Sequence, residues 1–159
     1  MHLYVILILT WITPVVFAEV KHDVYVYSDP FDPKSSYVLD TKKRTIVEGD
    51  LSFELKICNN DSPLLCFSSK SLSFAVPKDR SINTWSNDGL SYEITGSWKS
   101  VFQGMDINIE RISTMYKDVT IVFLYSYTRG LIGISFSNNK TERKFYMLQG
   151  AKGFGAGTK

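Results

Sequence analysis

Leu51-Ser52-Phe53-Glu54-Leu55-Lys56-Ile57 alternates an apolar with a polar side chain at every step. A period of two puts Leu51, Phe53, Leu55 and Ile57 on one face and Ser52, Glu54 and Lys56 on the other, the pattern of a half-buried β-strand. The alternation recurs in Leu72/Phe74/Val76, in Ile107/Ile109 against Asp106/Asn108/Glu110, and in Val122/Leu124 against Thr120/Ser126. Val119-Thr120-Ile121-Val122-Phe123-Leu124-Tyr125 is apolar on both faces and predicts a central strand.

Short turn signals separate these runs: Lys42-Lys43, Glu48-Gly49-Asp50, Asn87-Asp88-Gly89, Gln103-Gly104, Arg129-Gly130 and Asn138-Asn139-Lys140. Strands are expected near 23–27, 36–40, 44–47, 51–58, 66–76 with a break, 90–98, 105–113, 119–127, 131–137 and 142–148. No clear helical period interrupts them. The fold class is therefore all-β, an antiparallel meander forming a β-sandwich or barrel.

Ahead of it, Met1 to Ala18 reads as a signal peptide. The apolar run Leu3 to Leu9 ends at Val16-Phe17-Ala18, with small residues where a signal peptidase reads. Thr10, Thr13 and Pro14 interrupt the run well short of the roughly 20 apolar residues of a membrane span. The expected organisation is a signal peptide at 1–18, one domain at 19–150, and a flexible Gly-rich tail at 151–159. The two Asp-Pro pairs in Ser28-Asp29-Pro30-Phe31-Asp32-Pro33-Lys34 mark a loop between strands. Export implies a secreted or periplasmic location, with no membrane span once the leader is cut.

Cys58 and Cys66 enclose the turn-forming stretch Asn59 to Leu65, and in an exported protein such a pair reads as a disulfide closing a hairpin. A metal site is not expected, because His22 is the one histidine beyond the leader and two thiols with it do not make a zinc set. No cofactor motif is present: Gly153-Phe154-Gly155-Ala156-Gly157 lacks the following helix that a phosphate loop needs.

The 18 Lys and Arg against 16 Asp and Glu leave a net charge of +2, too balanced for a nucleic-acid partner. Without a usable histidine, Ser-His or Cys-His nucleophilic catalysis is excluded as an expectation. Gly133-Ile134-Ser135-Phe136-Ser137 resembles a nucleophile elbow only in its first three residues. Paired carboxylates remain as a catalytic option. Asp106 and Glu110 share a strand face but stand about 13 Å apart at strand rise, beyond the roughly 5 to 9.5 Å of glycoside-cleaving pairs.

Aromatic residues are abundant, with nine Tyr, ten Phe and three Trp. Tyr25 and Tyr27, and Tyr125 and Tyr127, share parities that would let them line a binding face. The expected function is an exported protein, not an enzyme, that binds a protein or glycan partner, in the manner of an inhibitor or immunity protein. Tyr125, Tyr127, Lys152 and Phe154 are its candidate contacts, the last two through the tail. A carboxylate-dependent hydrolase and a small-molecule carrier with a barrel cavity are the alternatives. Asn139-Lys140-Thr141 would accept N-glycosylation in a eukaryote.

Overall fold

The computed structural model describes residues 23–138 and 143–157. The leader, His22 and the Asn139 acceptor lie outside those residues. Thirteen strands follow one another among them: β1 Val24–Ser28, β2 Ser36–Asp40, β3 Thr45–Glu48, β4 Leu51–Glu54, β5 Lys56–Ile57, β6 Leu64–Ser68, β7 Ser73–Pro77, β8 Thr84–Asn87, β9 Leu90–Phe102, β10 Met105–Tyr116, β11 Val119–Ser126, β12 Gly130–Asn138 and β13 Arg143–Leu148. Ten form one sheet in the order β4-β3-β2-β1-β13-β12-β11-β10-β9-β8, and β5-β6-β7 form a second. Every pairing is antiparallel. The chain is all-β, as the alternation predicts, and no helix among the described residues is long and apolar enough to cross a membrane.

Turn chemistry sets several registers. Asp88 and Gly89 both have positive φ, as do Gln103 and Gly104, which is the two-residue hairpin geometry that matches strand twist. β11 lies inside the large sheet, with Ile121, Phe123 and Tyr125 buried on one face and Val122 and Leu124 half-buried on the other.

The run at 51–58 is not one strand. Leu55 separates β4 from β5, and its N–H donates to the Arg44 carbonyl at 2.9 Å while its side chain is buried. The chain thereby leaves the large sheet and enters the small one, and Leu51, at the sheet's edge, is 62% exposed. β8 was not expected from sequence. It is a short edge strand whose Trp85 stacks on Tyr92 at 5.8 Å and donates its indole N–H to the Ala75 carbonyl of β7.

The small sheet packs across the large one through aromatic rings. Phe74 is fully buried, with centroids 5.0 Å from Phe123, 5.8 Å from Tyr125 and 5.8 Å from Phe67. Cys58 and Cys66 lie at disulfide distance, their Cα atoms 5.2 Å apart, and link the end of β5 to β6.

The Gly-rich end is the main departure from expectation. Instead of a flexible tail, 151–157 lies against the start of β12. The N–H of Leu131 donates to the Phe154 carbonyl, that of Gly153 to Arg129, and that of Gly157 to Tyr127. Phe154 is buried, edge-on to Phe67 at 5.1 Å and Tyr25 at 6.1 Å. The glycines serve close approach rather than freedom: a Cβ on Gly153 would collide with the Leu131 carbonyl, and one on Gly155 with the Leu65 side chain.

Phe154→Ala is expected to cost about 3–5 kcal/mol of stability in urea denaturation. A loss of about 0.5 kcal/mol or less, the range of surface substitutions, would mean that the ring is not part of the core.

Replacing both cysteines by Ala should cost about 2.5 kcal/mol on the chain-entropy account of so short a loop. Rapid maleimide labelling of both thiols in native, unreduced protein would contradict the bond.

Candidate functional site

β9 and β10 are the two longest strands, and nine residues of β9 and five of β10 extend beyond their outer neighbours. β8 pairs only with Leu90 to Glu93, and β11 only with Glu110 to Tyr116. The remainder forms a two-stranded arm ending at Gln103-Gly104. A register shift at its root leaves Thr95 unmatched, and the Thr95 hydroxyl donates to the Arg111 carbonyl at 3.2 Å. Such a bulge bends and twists a strand. The arm's tip is tied down: Gln103 Nε2 donates to the Gly150 carbonyl at 3.1 Å, and the buried Arg129 donates to Ala151 and meets the Met105 sulfur.

Strand alternation gives the arm two distinct faces. Ile112 and Thr114 point into the main core, and Glu110, Asn108 and Asp106 continue that same face outward along the arm. Ile107 and Ile109 are buried on the opposite face. Cross-strand partners on the polar face are Ser97 opposite Glu110, Lys99 opposite Asn108, and Val101 opposite Asp106.

This polar face lines a cleft of about 580 Å³. Its other wall is Arg80, from the loop after β7, and Ser126, Tyr127 and Thr128, from the end and turn of β11. Asp79 steadies that loop by accepting from the Ser81 N–H and hydroxyl, which hold its carboxyl below the usual range. The Arg80 guanidinium lies 4.3 Å over the Tyr127 ring. Tyr127 also donates to the Pro77 carbonyl, and its ring meets Tyr125 edge-on at 5.1 Å.

Glu110 sits where the core ends and the cleft begins. Its Oε2 is buried and accepts no hydrogen bond among the described residues. Burial pushes its carboxyl above the ordinary range, and the nearby Arg80 charge offsets this only in part. Tyr127 is pushed up to about 12, first by burial and then by the Glu110 charge.

The expected contacts fare differently. Tyr127 lines the cleft, whereas Tyr125 is fully buried in the core and is not on an exposed face. Phe154 belongs to the protein's own core and cannot enter a partner, while Lys152 is half-buried beside it. Tyr27 is likewise buried, its hydroxyl donating to the Leu131 carbonyl. Asp106 and Glu110 share the cleft with Asn108 between them. Arg80, Lys99, Asn108 and Thr128 were not singled out from sequence; Arg80 sits in a polar loop whose proximity to β10 no local pattern reveals. Among the described residues no three His, Cys, Asp or Glu side chains gather to hold a metal ion.

No protein-family model, curated protein or solved structure matches the chain.

Ionising Glu110 is harder in the folded protein than in the unfolded chain, so native stability falls as pH rises from the ordinary glutamate range, about 4.3, through the raised folded value. Glu110→Gln does not titrate and is expected to lack that loss. The melting-temperature advantage of the variant over wild type should grow with pH across this window, and an advantage that does not change with pH would place Glu110 in water.

Proposed function

We propose that this chain is an exported binding protein, secreted or periplasmic, that holds a macromolecular partner in the cleft under the β9–β10 arm and does not turn it over. The observation that carries the reading is Glu110, a half-buried carboxylate whose Oε2 accepts no hydrogen bond among the described residues, in a cleft where polar side chains from four separate elements converge. Convergent polar groups in a concave site are what ligand recognition requires. Two cysteines at disulfide distance suit an oxidising compartment. Inhibitor or immunity action fits a small, charge-balanced module of this kind, by analogy of class.

A carrier would need an interior cavity, but Phe67, Phe74, Phe123, Tyr125 and Phe154 fill the space between the sheets. The hydrolase reading has one specific observation in its favour, the raised Glu110 carboxyl, since a general acid at neutral pH needs that shift.

The test is retention of macromolecules from the protein's own exported milieu on immobilised wild type, Glu110→Gln, Arg80→Ala and Trp98→Ala. Trp98 pairs with Ile109 on the arm's opposite face. A partner held by wild type and Trp98→Ala but released by the two cleft variants supports the reading. Equal retention by all four, no retention by wild type, or turnover of the retained partner abolished by Glu110→Gln overturns it.

A further inference from the structure

We infer that the ligand of this cleft is an uncharged glycan segment. The inference rests on the cleft being the binding site and goes further by naming the chemistry of what enters it.

Charge decides first. The ionisable cleft groups with opposing signs are matched, Arg80 and Lys99 against Asp106 and Glu110. With two charges of each sign, three of them on exposed side chains, the cleft offers neither an anion nor a cation a net attraction to offset the penalty that each pays in leaving water. A neutral ligand meets neither penalty.

Hydrogen-bond type decides next. Arg80 and Lys99 can only donate, ionised Asp106 and Glu110 can only accept, and the Ser97, Ser126 and Thr128 hydroxyls do both. A sugar hydroxyl donates and accepts from one atom, so neighbouring hydroxyls on a ring can satisfy all three kinds of group. Glu110 lines the cleft while half-buried, so its carboxylate is the acceptor that such a hydroxyl meets there. Arg80 forms no ion pair with Glu110; its place over the Tyr127 ring keeps its guanidinium at the wall as a donor.

The test uses paired oligosaccharides that differ in charge and in the one acetyl or methyl group that masks it: chitin against chitosan oligomers, and methyl-esterified against free oligogalacturonate, with neutral gluco- and manno-oligosaccharides added. Binding is followed by calorimetry and by amide shifts in β10 and the β11–β12 turn. At least one neutral oligomer is expected to bind, about tenfold or more tighter than its charged counterpart, a gap of about 1.4 kcal/mol. Glu110→Gln should weaken it about tenfold with no fall in melting temperature, whereas Trp98→Ala should leave affinity unchanged. Equal or tighter binding of a charged counterpart, or no cleft shifts with any neutral oligomer, overturns the glycan assignment. Partner retention that still depends on Glu110 would then leave the binding function standing, and its loss of that dependence would remove the function as well.

Discussion

The fold depends on one docking event, the seating of Phe154 between the two sheets. Its ring touches Phe67 and Phe74 of the small sheet and Tyr25 of the large one, and its backbone is held by Leu131 and by the Tyr27 hydroxyl. The close approach needs glycine on both sides. Gly153 has no room for a Cβ against Leu131, and Gly130 is crowded in turn by the Gly153 and Phe154 carbonyls. A β-sandwich normally fills its core with alternating inward residues from its two sheets; here a short non-strand segment completes that layer.

That segment also anchors the arm. Arg129 joins the Ala151 carbonyl to Met105 near the arm's tip, and Gln103 reaches Gly150. The cleft is thus a consequence of packing on the other side of the arm. The bulge at Thr95 redirects β9, Ile107 and Ile109 hold the arm by burial on one face, and the polar face is left opposite Arg80 and Tyr127. Glu110 pairs with Tyr125, a core residue, which explains why one of its oxygens is cut off from solvent although the residue opens onto a cleft.

The strands that could be read in advance are those with strong alternation. β2, β10 and β11 were close to their expected positions because burial on one face forces a period of two on the sequence. β8 carries no such signal, because Thr84-Trp85-Ser86-Asn87 has a single apolar residue, all that an edge strand paired on one side requires. The continuous pattern from Leu51 to Ile57 concealed a change of sheet at Leu55, since alternation records which side is buried and not which sheet does the burying. The Gly-rich end departs from the expected flexible tail for a related reason: glycine permits both disorder and close contact, and composition does not distinguish them.

By itself the sequence determined the all-β class, most of the strands and turns, and the pairing of Cys58 with Cys66, because each follows from local periodicity, turn stereochemistry or short loop closure. It also placed Asp106, Asn108 and Glu110 on one face of one strand. Tertiary structure alone decided that this face would look across at Arg80 and Tyr127, that Tyr125 would be core while Tyr127 lined a cleft, and that Phe154 would be buried. These depend on contacts between residues distant in sequence, made when the arm bends and the last strand returns to β1, and no local pattern encodes such contacts.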